Sequence, residues 1–388
     1  MKTLLFATYV SPFPANSGER IRVLSLIAAF RSLGYAIEAF VGNYDGVDLQ
    51  VHCTDGLTFR QIPFAWPRLR QEAGIYFRQH EKFVHQLGSL HEQQPLTAAI
   101  LDYGFMGAQI RPIAQLGIPV VLGTHNVESA LTGLAPKSSL GALAALRLRQ
   151  GIELAHERLF FPRADAIICV SAEDRKIYEK FIPADHLHVI PNFVDVPDRF
   201  EHTERSDRIV MSGSFGNFQN LEGLRWFAEN VWDDDLRAAT SLYVVGKKSD
   251  EAVGQLKDAR GIVGLGARDD LLAEIGASRC AIVPVLHGGG TRVKCLEAMA
   301  ARTPVVTTSK GCEGIAHEGT FSVADSPRDF KAAILDVLAD DRGAVPRSAR
   351  ARAIFDKRYS LPANKTGLDQ VLGHAAIARS RRAVARAS

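Results

Sequence analysis

The sequence predicts an α/β protein of two halves, each a parallel sheet covered on both faces by helices. Three observations carry this expectation. The 388 residues exceed the roughly 250–300 at which a single hydrophobic core stops growing. Short apolar runs alternate with segments of helical spacing, which is the pattern of parallel βαβ units. The alternation breaks at a polar stretch containing Pro197, Asn192–Asp207, and then restarts. Ligands of such sheets bind beyond the carboxyl ends of the strands, so two halves facing each other would create a cleft.

Thr3–Tyr9 reads as a buried strand, Ser11–Gly18 as a loop and Ile21–Leu33 as a helix closed by Gly34. Ala36–Val41, Ala98–Asp102, Pro119–Gly123 and Ala166–Val170 are further strands, and Leu140–Phe161 is a long amphipathic helix. Ser171 suits the N-cap of a helix over Ala172–Lys180, because its hydroxyl can accept from a free backbone N–H. Val189–Pro191 closes the half. In the second half, strands are expected at Arg208–Ser212, Ser241–Val245, Gly261–Gly264, Ala281–Val285 and Pro304–Thr308. Helices are expected at Asn220–Asn230, Leu271–Gly276, Thr291–Ala301 and Asp329–Leu338. The domains are therefore expected at 1–191 and 208–360, with a linker at 192–207. Residues 361–388 are expected to form a C-terminal helix and basic tail returning toward the first half.

A hydrophobic fraction of 46% with 23% charged residues excludes disorder as the main state. A net charge of +3 lacks the basic excess of a nucleic-acid binder. The tail from Ala375 carries Arg379, Arg381, Arg382 and Arg386 and no acid. It admits two readings: a solvated, frayed terminus, or weak peripheral contact with anionic lipid, at about 1 kcal/mol per basic residue. The five cysteines are widely spaced and form no C-x-x-C, which points to reduced thiols in the cytoplasm. Cys169 and Cys280 lie in apolar runs, and Trp226 and Phe227 are expected in the core of the second half. Met1–Val10 lacks a cleavage site and fits a first strand better than a signal peptide, and no apolar run nears the ~18 residues of a membrane span. Asp233-Asp-Asp235 follows no strand and reads as a solvated loop, not a metal site. Histidines 80, 85 and 91 fit no zinc spacing.

The segment from Val283 to Val306 carries the chemistry. A strand runs into Gly288, Gly289 and Gly290, and a helix follows. Glycines allow close backbone approach to a ligand, and a helix N-terminus with free N–H groups suits phosphate. Arg292 and Lys294 add positive charge in the first turn. Glu297, further in, can accept two ribose hydroxyls. The competing reading is a tight turn with solvated charges. The run matches neither the dinucleotide fingerprint nor the P-loop.

These residues resemble the donor segment of the family-four (group 1) glycosyltransferases: Gly-Gly-Gly-Thr-Arg-x-Lys-x-Leu-Glu-Ala-Met-Ala, then Pro-Val-Val. Four further segments resemble the family in the same order along the chain. They are Pro12-Phe-Pro with Ser17-Gly18 and Arg20–Arg22, Thr124-His-Asn-Val-Glu128, Ala164-Asp165 with Val170-Ser171, and Val189-Ile-Pro-Asn192 with Val194-Asp195. The resemblance implies a GT-B fold, two Rossmann-like domains whose parallel sheets face a central cleft. It also implies retaining transfer from a nucleotide-sugar, with no cofactor and no required metal. It suggests Glu297 as the ribose ligand, Gly288, Gly289, Gly290 and Thr291 at the donor sugar or phosphates, His125 near the donor sugar, and Gly18 at the phosphates.

Two departures matter. Gly289 stands where the family often has a first glutamate, and Ser212–Asn220 lacks the usual Arg and Lys. Arg292 and Lys294 are expected to replace that pair, because a leaving diphosphate needs positioned cations. His125 reads either as a structural histidine or as a site residue. Glu128 either orients it or caps the next segment, and Arg20 and Arg22 lie either on a solvated face or at phosphate. The expected activity is transfer of a sugar to an acceptor that the sequence does not name. Polysaccharide or lipid-linked oligosaccharide assembly in the cytoplasm, on the inner face of the membrane, is a fold-level analogy. The rival readings are a non-catalytic nucleotide-sugar binding protein and a sugar-nucleotide epimerase on the same fold.

Overall fold

The computed structural model describes residues 2–13, 18–43, 46–62, 80–133, 140–196, 205–268, 270–287, 292–340 and 344–387. They form two compact units. The first takes in Met1–Ala15, Arg22–Pro191 and Asn364–Ser388, and the second Asn16–Ile21 and Asn192–Ala363.

The first unit holds a seven-stranded sheet of β1 (Thr3–Thr8), β2 (Ala36–Val41), β3 (Leu57–Gln61), β4 (Leu96–Asp102), β5 (Val120–Gly123), β6 (Ala166–Cys169) and β7 (Leu187–Val189). Its order is β3-β2-β1-β4-β5-β6-β7 and every pairing is parallel. Each residue of β1, β2, β5 and β6 is buried, as expected of a sheet covered on both faces. The helices are α1 (Gly18–Ser32), α2 (Glu81–Gln93), α3 (Ile110–Gln115), α4 (Glu128–Gly133), α5 (Leu140–Phe160) and α6 (Ala172–Tyr178). Ser171 caps α6 by accepting from the Asp174 N–H. Leu5, Leu101, Leu122, Ile167 and Cys169 share one core with Phe83 and Leu87 of α2.

The second unit holds β8 (Ser206–Ser212), β9 (Ser241–Val245), β10 (Ile262–Gly264), β11 (Ser278–Val283), β12 (Val305–Thr307) and β13 (Ser322–Val323), in the order β10-β9-β8-β11-β12-β13, again parallel throughout. Its helices are α7 (Phe218–Asn230), α8 (Asp234–Ala239), α9 (Ser249–Gly254), α10 (Leu271–Gly276), α11 (Val293–Ala300), α12 (Pro327–Ala339) and α13 (Ala344–Arg358). Phe227 is fully buried, and Trp226 packs edge-on against Phe330. Across both units the five cysteines are unpaired, and no described helix is long and apolar enough to cross a membrane.

Two expectations need correction. Asp233-Asp-Asp235 is no loop but the start of α8. Asp233 accepts from the Leu236 N–H as N-cap, and both Asp233 and Asp235 pair with Lys331. Nor is the basic tail frayed. It continues α14 (Leu361–Ala387), whose later part belongs to the first unit. Arg379 Nη2 donates to Asp165 Oδ2 at 2.6 Å, and Arg382 donates to the carbonyls of Arg163 and Pro162. Asp165 also accepts from the Val120 N–H at 2.8 Å, so the tail closes on the sheet itself.

Candidate functional site

In the second unit, the site grows from the carboxyl end of β8. Gly213 follows Ser212 at φ 152°, and Gly246 follows β9 at φ 126°. A Cβ on Gly246 would lie 2.0 Å from the Gly213 carbonyl oxygen. Only glycine lets the two loops meet there. Asn220, in the first turn of α7, donates from Nδ2 to the Ser214 carbonyl at 2.8 Å and accepts from Lys294 Nζ at 2.7 Å. Lys294 therefore points from α11 to the stretch that lacks its own cation. Burial draws its pKa down to about 8.

Glu297 sits one turn further along the same helix and is buried. Burial pushes its carboxyl up to about 7, against the pull of the Lys294 charge and a hydrogen bond with Ser212. A carboxylate and an ammonium thus share a low-dielectric pocket beside a hydroxyl and a carboxamide. Arg292 precedes α11 and turns elsewhere: its Nε donates to the Lys310 carbonyl at 3.4 Å, and burial lowers its pKa while Glu313 raises it. The two expected cations are held by different partners. Gly18 opens α1, and a Cβ there would meet Val293 Cγ2 at 3.1 Å. Gly288, Gly289, Gly290 and Thr291 lie outside the described residues.

In the first unit, a separate group of side chains lies at the carboxyl ends of β4 and β5. His125, two residues beyond β5, places Nε2 at 2.9 Å from Asp102 Oδ2. Asp102 is the last residue of β4 and pairs in register with Gly123. A Cβ on Gly123 would lie 2.7 Å from Asp102 Oδ1, so the glycine makes room for the carboxylate. Arg22 of α1 completes the set, with Nε 3.6 Å from Asp102 Oδ1 and Nη2 donating to the Thr124 carbonyl at 3.4 Å. Burial alone would raise the Asp102 pKa, but the charges of His125 and Arg22 outweigh it and hold it below the usual carboxylate value. Tyr103, at φ 110° and ψ 127°, occupies a region costly for any side chain, and its ring lies 4.3 Å from that of His125.

The structure bears on three sequence readings. Arg22 does not lie on a solvated face; it is buried against Asp102. The partner that orients His125 is Asp102, whose only sequence signal was its place as the polar end of an apolar run. Glu128 opens the following segment, α4, beside Glu153 and Glu157, where burial pushes its carboxyl to about 7.

Comparison with known proteins adds to this geometry. A model described as "Glycosyltransferase Family 4" matches residues 17–197, and one described as "Glycosyl transferases group 1" matches residues 206–340. Curated protein sequences give no match. Among solved structures, the sucrose-phosphate synthase of Thermosynechococcus elongatus is similar at 17% identity and TM-score 0.71, with all of both chains covered. WaaG, a glycosyltransferase involved in lipopolysaccharide biosynthesis, is similar at 16% and 0.64, covering 93% of this chain and 98% of its own. HepE of Anabaena, in complex with UDP and glucose, is similar at 13% and 0.67, covering 96% of this chain and all of its own. Identities this low speak for a shared GT-B fold and not for shared substrates.

Proposed function

As this chain belongs to the group 1 glycosyltransferases, we propose that it moves a sugar from a nucleoside-diphosphate sugar to an acceptor hydroxyl with retention of anomeric configuration and without a metal. The observation that carries this reading is the group formed by the buried Ser212 and Glu297 with the half-buried Asn220 and Lys294 at the carboxyl end of β8. Glu297 is suited to accept the two ribose hydroxyls. Lys294, fixed by Asn220, supplies charge where the departing diphosphate accumulates it. Neighbouring folds that bind UDP and UDP-glucose support the donor class.

In the reaction, the bond between the anomeric carbon and the diphosphate oxygen breaks, and a bond to the acceptor oxygen forms on the same face. The acceptor proton passes to the departing phosphate oxygen. His125, with Nε2–H donating to Asp102, offers Nδ1 to a donor-sugar hydroxyl. It orients the ring and takes no part in the covalent step. The absence of water matters as much, because a free sugar cation would be hydrolysed.

Thermal unfolding against a panel of nucleoside diphosphates and nucleotide sugars, with and without chelator, tests the reading. A ligand at about 100 times its Kd stabilises by roughly 2.7 kcal/mol. A chelator-insensitive shift with one nucleotide, lost in Glu297→Ala, is expected. No shift with any nucleotide would sink it.

A further inference from the structure

A cavity of about 630 Å³ opens in the first unit, between the carboxyl ends of β2 and β3, residues 47–50 with Asn43, and α2. This is within the range of ~300–1,000 Å³ found for small-molecule sites. Its walls include the buried Phe40, Leu49 and Phe59. Its rim is rich in carboxamides: Gln50, Gln61, Gln86 and Gln93, all exposed. Each can donate and accept at once, as a sugar hydroxyl demands. Among the described lining residues, Arg60 is the one Lys or Arg, and its Nε pairs with Glu38 at 3.0 Å. Asp48 adds a negative charge. Such a lining disfavours a phosphate or carboxylate.

Position narrows the ligand further. All strands of this sheet are parallel, so the part of the cavity walled by Phe40, Phe59, Arg60 and Gln61, at the ends of β2 and β3, lies on the same edge as His125, and α2 carries the cavity away from that edge as far as Gln93. β2 is three strands from β5 in the sheet order, about 14 Å at roughly 4.8 Å per step. Aromatic faces occur along that edge. Phe59 of β3 meets Phe13, which follows β1, at 5.2 Å. Tyr9, also just beyond β1, meets Tyr103 at 4.8 Å, and Tyr103 meets His125 at 4.3 Å. Phe59 and Tyr9 are buried and back the half-buried Phe13 and Tyr103, whose open sides can take the C–H faces of sugar rings while the carboxamides take the hydroxyls.

Building on the transferase reading, we propose that the acceptor is a neutral, extended glycan whose distal sugars lie in this glutamine-rimmed groove and whose reactive end reaches His125 past Tyr103. A single sugar is too short to do both.

The test is binding of the full-length protein to immobilised linear gluco-, manno- and galacto-oligosaccharides, from single sugars to long chains, beside phosphorylated and carboxylated counterparts. Expected is binding of one neutral series that strengthens with length and falls at least tenfold in Gln86→Ala/Gln93→Ala. Both substitutions are exposed on a helix, and an unchanged melting temperature checks the fold. Preference for the anionic glycans, equal binding by the variant, or binding of none of them overturns the proposal. The nucleotide-induced shift of the wild-type protein is recorded alongside. If it persists while glycan binding fails, only the groove assignment falls; if it too is missing, the donor reading falls.

Discussion

Lys294 Nζ meets Asn220 Oδ1 at 2.7 Å, which ties the start of α11 to the start of α7. The contact fixes a positive charge at the carboxyl end of β8, although the β8–α7 loop holds no cation of its own. Arg292, two residues earlier, is committed to the Lys310 carbonyl. The pair is therefore expected to divide its labour. Lys294→Ala should lower kcat by about 10²–10³-fold, the size of losing one positioned charge-stabilising donor, with little change in melting temperature. Arg292→Ala should chiefly lower the melting temperature. Steady-state kinetics and thermal unfolding of the two variants separate these outcomes, and the reverse pattern would refute the division.

The pH dependence of nucleotide affinity follows from the same helix. Glu297 must ionise to accept ribose hydroxyls, and its carboxyl titrates at about 7. Lys294 must stay protonated to face phosphate, and it titrates at about 8. Affinity of the free protein for a nucleoside diphosphate should rise through pH 7 and fall above pH 8. Calorimetric titrations across this window would show a bell, and a flat profile would contradict it.

Glu297→Gln offers a second reading of that residue. A carboxyl whose folded pKa is raised stabilises the fold fully below its unfolded value of 4.5. That contribution is lost as pH rises to about 7. At pH 8.5 the native charge is therefore a burden that Gln removes. The ligand-free variant should be about 1–3 kcal/mol more stable than wild type there, yet show no nucleotide shift. Denaturant unfolding at pH 4.5 and 8.5 compares the two proteins.

Asp102 serves two neighbours at once. Asp102→Asn alone leaves the buried Arg22 without its anion, a loss of about 3–5 kcal/mol. Adding Arg22→Met should restore most of that stability while His125 stays poorly held. The double variant should then fold but transfer sugar about 10–100-fold more slowly, the usual effect of losing a histidine's orienting partner. Activity equal to wild type in the folded double variant would argue that His125 needs no orientation.

Arg379 tests the tail. Asp165 is fully buried, and Arg379 donates to it from both Nε and Nη2. Arg379→Ala should destabilise the first unit by about 3–5 kcal/mol. Arg381→Ala, on the exposed side of the same helix, should do almost nothing. Denaturant melts followed by tyrosine fluorescence would register the difference.

The buried strands were legible because both faces of a parallel sheet demand apolar residues, so β5 and β6 stand out as continuous runs. β3 did not. As an edge strand it keeps only Leu57 and Phe59 buried and shows Arg60 and Gln61 to solvent, which blends it into a loop. The closeness of Lys294 and Glu297 was legible from their spacing on one helix. Asp102 was not, because its meaning comes from Arg22 and His125, partners distant in sequence that only the sheet order brings together. Lys294 stood out by its charge, but its partner Asn220, 74 residues away, has no local signature.

The chain order of the two units bears on how the protein is made. The first unit needs Asn364–Ser388, with Arg379 sealing Asp165 beneath β5. A ribosome emits the N-terminal sheet first, yet that sheet lacks its final helix until synthesis ends. The second unit, nearly continuous in sequence, can mature while the first still waits. Late nonsense or frameshift lesions would therefore cripple the earliest-made part of the molecule and leave the second unit able to fold.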